Sequence, residues 1–240
     1  MAAGQDDDHS NEQRLQRVAE IARRLAEAAD LDDLLQRIVT LGEEHLDRCD
    51  GVSLMLIRKG GEISTPTYTS RVAYDSDQAQ FLADEGPCLE SIREHHSVHI
   101  RDLRTEERWP AYRERVLALG IRSMLGVRLF VLGDTMGALN FYSSEPNAFD
   151  EYSLVLAQVF ASHAAVALKA AIAEAGAEAA IRSRDVIGQA KGIIMAQERC
   201  TADDAFIRLR ELSQALHRPL RELADEIAAT GDIPKAAARD

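Results

Sequence analysis

Between Phe149 and about Ala180 the chain runs FDEYSLVLAQVFASHAAVALKAAIAEAGAEAA, with no proline and a single glycine, Gly176. Small and straight-chain helix formers dominate the run, so it predicts one long helix. Its residues Leu154, Ala157, Ala161, Ala164, Leu168, Ile172, Ala175 and Ala179 step by threes and fours. That is the spacing of a tightly packed coiled-coil seam, and it predicts a homodimer through the 149–180 helix.

Upstream of this helix the periodicity changes twice. Leu15, Val18, Ile21 and Leu25, then Leu34, Leu35, Ile38 and Leu41, predict two consecutive helices, the second N-capped by Asp30. Short runs bounded by turn residues follow. GVSLMLIRKGGEISTPTYTS predicts two strands around Lys59, Gly60 and Gly61, and IRSMLGVRLFVLGDTMGALNFYSS two longer ones around Gly133 and Asp134. Between the hairpins, Gly86-Pro87 opens a helix running to about His95, SVHIRDL is a short strand, and a helix spans Pro110 to Gly120. Helices alternating with hairpins in this order predict an α+β domain with a largely antiparallel sheet.

Downstream of Ile181 the reading gives three short helices. The first holds RDVIGQAKGIIMAQ, the second starts at Thr201 with Asp204 placed for a capping box, and the third starts at Pro219 and stops at Gly231. The domains expected are a disordered tail at 1–12, the α+β domain at 13–170, a continuation of the long helix at 171–182, a bundle at 183–232 and a tail at 233–240.

Charge narrows the choice of partner. The chain carries a formal −12, so it has no global attraction for polyanions. Residues 181–240 nevertheless balance ten basic against ten acidic side chains, leaving the deficit to the first 180 residues. The N-terminus lacks a leader pattern and no window holds eighteen uninterrupted apolar residues, so the expected location is the cytosol, with no membrane contact. Cys49, Cys88 and Cys200 are odd in number and widely spaced, which predicts reduced thiols and no metal site.

Within the first short helix, Gly188 and Gly192 each weaken the helix by roughly 1 kcal/mol relative to alanine. They share a face and bare the backbone there, permitting close approach by another helix or by a nucleotide. Lys191 projects beside them, Arg184 lies seven residues earlier on nearly the same face, and Arg208 and Arg210 extend the basic strip from the next helix. Gln189 and Ser213 can hydrogen-bond a base or simply face solvent. Phe206 can stack on a base, although an aromatic at helical spacing in so small a bundle is expected in its core.

Residues 184–231 resemble an ANTAR domain, the RNA-binding module of bacterial transcription antiterminators. The Ile-Gly-Gln-Ala-Lys-Gly core, Met195, Ala205-Phe206, Leu209-Arg210 and Ser213 carry the likeness. Residues 15–170 resemble a GAF sensor domain of the type fused to ANTAR modules in actinobacteria, through DEGPCLESIREHHSVHIRDL, RWPAYRERVLALGIRSMLGVRL and GALNFYSSEPNAFDEYS. The resemblance implies a regulator rather than an enzyme. A GAF domain would detect a signal, with a small-molecule ligand as one form of it, and an ANTAR bundle would bind paired RNA hairpin loops as a dimer and keep a terminator from forming. Arg184, Gly188, Gln189, Lys191, Gly192, Met195, Arg210 and Ser213 are the RNA-binding residues it implies. No cofactor is specified. GAF folds also include thiol enzymes that reduce free methionine sulfoxide, and a regulator acting by protein contacts alone is a further alternative.

Three other positions need weighing. Cys88 begins a helix, whose dipole can lower a thiol's pKa and make it a redox or ligand sensor; the plainer expectation is a small buried residue supporting the turn. His163 on the long helix is expected to be packed or interfacial rather than a phosphoacceptor. His95, His96 and His99 lack a carboxylate at metal-ligand spacing and are expected in a solvated loop.

Overall fold

The computed structural model describes residues 16–58, 60–94 and 97–234. The tail expected at 1–12, most of that at 233–240, Leu15, Lys59, His95 and His96 lie outside the described residues. Two compact units result, residues 1–172 and 173–240.

The first unit is built on one antiparallel sheet in the order β2-β1-β5-β4-β3, where β1 is Gly51–Ile57, β2 Ile63–Tyr68, β3 Val98–Ile100, β4 Ser123–Val131 and β5 Asp134–Ser143. Both expected hairpins and the short strand are present. Gly137 in β5 adopts a φ of +157°, and a Cβ there would fall 1.9 Å from the Met55 carbonyl oxygen, so only glycine lets β1 and β5 meet at that point.

Alternation along the strands gives the sheet two apolar faces. Against one lie α1 (residues 16–26), α2 (Leu31–His45) and the start of α6 (Glu151–Glu198). Ile21, Leu34, Ile38 and Leu41 meet Leu54, Leu125, Phe141, Phe160 and Leu168 there. As expected, Asp30 caps α2, accepting from the Asp33 amide. The other face is covered by α3 (Arg71–Ala83), α4 (Pro87–Glu94) and α5 (Pro110–Ala118).

Helix α3 is absent from the sequence reading. Its buried residues are Ala73, Ser76, Asp77, Ala79 and Gln80. A face half composed of polar side chains yields no 3.6-residue apolar period, so the usual signal for a helix is missing.

Helix α6 corrects the reading in two ways. It runs without a break from Glu151 to Glu198, so the first helix of the C-terminal bundle is its last stretch rather than a separate element. Residues 176–184 contain no proline and only Gly176, so nothing terminates the helix near Ala180. Second, half of the presumed seam is already used inside its own domain: Ala157, Ala161, Ala164 and Leu168 are buried against the sheet. The residues α6 leaves outside include Val155 and Val166, 56% and 59% exposed, with Ser162 and His163 beside them. His163 is therefore not packed within the chain. By length and composition α6 could cross a membrane, with a mean hydropathy of 1.6 over eighteen residues, of which 39% are buried; Leu156, Phe160 and Leu168 of the same helix pack in the core.

In the second unit, Ala190 and Ile194 of α6 meet Ala205, Leu209 and Leu212 of α7 (Ala202–Ala215) and Leu223, Ala224 and Ile227 of α8 (Leu220–Thr230). Thr201 and Asp204 form the expected reciprocal capping box, and Gly231 closes α8 with a left-handed φ of 76°.

Candidate functional site

The bundle buries one side of α6 and leaves the opposite side bare. Because Ala190 and Ile194 point inward, Arg184, Gly188, Gly192 and Met195, spaced along the outward face, are exposed, and Lys191 lies half-buried at its edge. A Cβ built on Gly188 or Gly192 meets nothing within 4 Å. Neither glycine is therefore required by packing within the chain, and the helix bears their cost without an internal gain. Gln189 is exposed on the flank of the strip beyond Gly192.

Helix α7 borders the strip. Its inward residues are Ala205, Leu209 and Leu212, so Phe206 is not core: it is 41% exposed, which corrects the expectation from spacing. The Lys191 ammonium stands 5.8 Å from the centre of its ring, a cation–π contact between α6 and α7 worth about 0.5 to 1 kcal/mol at an exposed site. Arg210 follows one turn after Phe206 and is exposed, while Ser213 comes a further turn on, half-buried. Its hydroxyl donates to the Arg218 carbonyl at 2.6 Å, closing the α7–α8 turn, so its proton is not available to a ligand. Arg208 also departs from the expectation, since it pairs with Glu198 at 3.3 Å. Among the described residues Arg184, Lys191 and Arg210 make no ion pair, and these three cations surround the glycines and the phenyl ring.

The first unit holds a second constellation, on the sheet face covered by α3 and α4. Asp77 is fully buried and its carboxylate accepts from the Tyr142 hydroxyl at 2.5 Å, the Thr65 hydroxyl at 2.7 Å and the Asn140 amide at 3.2 Å. Ser53, opposite Asn140 in the β1–β5 register, accepts from the same amide, while the Asn140 carbonyl oxygen is buried with no partner. Burial pushes the Asp77 carboxyl up from 3.8 to about 6 despite the hydrogen bonds, which favour the charged form.

Cys88 belongs to the same layer. Its amide donates to Gln80 Oε1 at 2.8 Å and its sulfur receives Gln80 Nε2 at 2.9 Å. Burial first, then the neighbouring Asp77 charge, hold the thiol well above its ordinary pKa. Desolvation outweighs the helix dipole here, and Cys88 is buried at the α3–α4 corner, as the plainer of the two expectations has it. Cys49 is likewise pushed up to about 12 by burial. His99 lies in β3, half-buried, with Nε2 3.0 Å from the Phe149 carbonyl oxygen, rather than in a solvated loop. No group of three or more metal-ligating side chains occurs among the described residues.

A pocket of about 220 Å³ opens where β1 and β5 meet the α5–β4 connection, lined by residues including Gly51, Ser70, Leu119, Ile121 and Tyr142. Tyr142 separates it from Asp77.

The chain thus joins a helix-clad antiparallel sheet enclosing buried polar groups to a helical bundle displaying exposed cations. Residues 28–169 match the GAF domain and residues 175–227 the ANTAR domain. The chain belongs to the GAF family and carries an ANTAR domain after its GAF domain. Comparison with curated proteins gives no match. Among solved structures, the chain is similar to the GAF domain of the Acinetobacter phosphoenolpyruvate-protein phosphotransferase, at 16% identity and a TM-score of 0.54, covering 67% of this chain and 95% of that one. The corresponding domain from Coxiella burnetii aligns at 22% identity and a TM-score of 0.52, over 70% and 96% of the two chains. Free methionine-R-sulfoxide reductase from Neisseria meningitidis aligns at 16% and 0.50, over 67% and 91%. At such identities the likeness establishes the shared fold.

Proposed function

We propose that the chain is an RNA-binding transcription antitermination regulator of the bacterial cytoplasm, in which the GAF domain senses a signal and the ANTAR bundle binds paired RNA hairpin loops as a dimer, so that a terminator does not form. The observation carrying this reading is the outward face of α6: two glycines with open space above them, flanked by Arg184, Lys191 and Arg210 without ion-pair partners. Bare backbone admits a splayed loop base at close range, while three cations hold its phosphates. Gln189 and Met195 complete the contact surface, and Ser213 contributes by fixing the turn behind Arg210. With three such cations and an overall charge of −12, phosphate attraction is modest, so loop recognition supplies much of the affinity.

Two subunits present two strips to two loops. The outward face of α6 around Val155 and Val166 supplies the subunit contact, and a second copy there would cover the apolar side chains the fold leaves out. A small-molecule signal would enter the GAF domain at the pocket beside Tyr142, whose about 220 Å³ lies below the usual range for ligand sites, so occupation requires the pocket to widen.

The test is binding to an RNA of two short hairpins against RNAs with either hairpin alone, with mass measured in parallel. The two-hairpin RNA is expected to bind at least about 10-fold tighter, through linked engagement of two strips. Val155→Glu combined with Val166→Glu, both outside the core, is expected to bring the mass from twice 26.5 kDa to 26.5 kDa and to erase that advantage. Equal binding of one and two hairpins would contradict the dimeric reading. A thiol-dependent turnover abolished by Cys88→Ala would favour an enzyme instead, and the sealed, protonated Cys88 opposes it.

A further inference from the structure

Phe206 takes no part in the core of the bundle it belongs to. The inward face of α7 is complete with Ala205, Leu209 and Leu212, and the phenyl ring stands 41% exposed next to Ile207, itself 45% exposed. Phe206 and Ile207 together leave apolar surface open to water on the outward side of α7. The ring is also not an isolated surface residue. The ammonium of Lys191, which neighbours both glycines on α6, lies 5.8 Å from its centre, and Arg210 follows one turn along α7. Met195, 36% exposed, sits one turn after Lys191 on the α6 side. An apolar ring, an adaptable thioether and two unpaired cations thus share one open surface.

We propose that Phe206 is a stacking platform for one unpaired base of the bound RNA loop, with Lys191 serving both as the cation at the edge of the ring and as a phosphate contact for the same nucleotide. The proposal rests on the RNA-binding reading and adds to it the chemistry by which the loop is held: a π-face rather than hydrogen bonds to base edges. Every base has such a face, so this contact fixes the loop's conformation and contributes affinity with little dependence on which base is splayed out. The two contacts respond differently to salt. Removing a ring leaves the number of neutralised phosphates unchanged, whereas removing a lysine lowers it by one.

The experiment uses the full chain and a two-hairpin RNA carrying 2-aminopurine at each loop adenine in turn, titrated over a range of salt. Phe206→Leu preserves apolar bulk on an exposed site and removes the ring. It is expected to weaken binding about 10-fold with the salt slope intact, and to abolish the fluorescence quenching that one labelled position shows with the unaltered protein. Phe206→Trp is expected to keep both affinity and quenching. Lys191→Ala is expected to weaken binding and to lower the salt slope by about one. If the protein binds the RNA and Lys191→Ala weakens it while Phe206→Leu changes neither affinity nor quenching, the platform is refuted and the RNA-binding reading stands. If Phe206→Leu instead lowers the dimer mass, the ring is a subunit contact and the platform is again refuted. Absence of any binding by the unaltered protein would remove both.

Discussion

Gly192→Leu is expected to leave the bundle folded, to stabilise it by about 0.8 kcal/mol, and at the same time to weaken RNA binding by about 5- to 150-fold. The two effects have separate causes. A leucine Cβ at this position meets nothing within 4 Å, so the bundle gains the helix propensity that glycine forgoes. A bound loop, however, would lie against that same stretch of backbone, and inserting a side chain into a close-packed contact costs about 1 to 3 kcal/mol. Thermal or urea unfolding measured beside RNA titration reads both. Gly176→Ala is the control, because Gly176 is equally open but lies outside the strip; it should gain stability without losing affinity. Parallel loss of stability and affinity would mean that the glycine serves the fold, and loss of the dimer with RNA binding retained would assign the bare strip to a second helix.

The second large effect belongs to the GAF domain. Asp77 is held at about 6 in the folded chain against an ordinary 3.8, so the unfolded chain releases this proton first as pH rises. The sign follows directly: the Asp77 contribution to stability is fully present below about pH 4, declines as pH rises toward 6, and is lost above it. The shift corresponds to about 3 kcal/mol. Asp77→Asn keeps the shape of the side chain and has no proton to lose, while the Thr65 and Tyr142 hydroxyls can turn to accept from its amide. The stability of Asp77→Asn relative to the unaltered chain is therefore expected to climb by about 3 kcal/mol between pH 3 and pH 7. Taking this difference is necessary because Asp33, Asp102 and Asp150, with carboxyls held below their ordinary range by hydrogen bonds, drive total stability the opposite way. A difference that stays level with pH would show that Asp77 is not desolvated as the buried network implies.

How far the sequence revealed all this depended on whether apolar side chains carried the pattern. The two hairpins, the caps at Asp30 and Thr201 and the stop at Gly231 were legible because local turn and cap chemistry does not need tertiary context. Helix α3 was not, since the side it buries holds Ser76, Asp77 and Gln80, and the buried acid that distinguishes this domain is hidden by the same fact. The spacing of Ala157, Ala161, Ala164 and Leu168 was read correctly as a packed helix face but given to the wrong partner: a step of three and four residues is the same whether the neighbour is a second helix or the helix's own sheet. Phe206 was drawn toward the core by the same reasoning, and only the positions of Leu209 and Leu212 reveal that α7 points its ring outward. The glycine pair asked the right question of the sequence, but whether a neighbour filled the space above it required coordinates.

The most direct measurement of the central claim is photocrosslinking of full-length protein to a two-hairpin RNA with 4-thiouridine in its loops, followed by peptide identification. Crosslinks are expected within residues 184–195 of α6 and 206–213 of α7. Crosslinks that fall instead on α8 or on the GAF sheet, with the outward face of α6 untouched, would contradict the account.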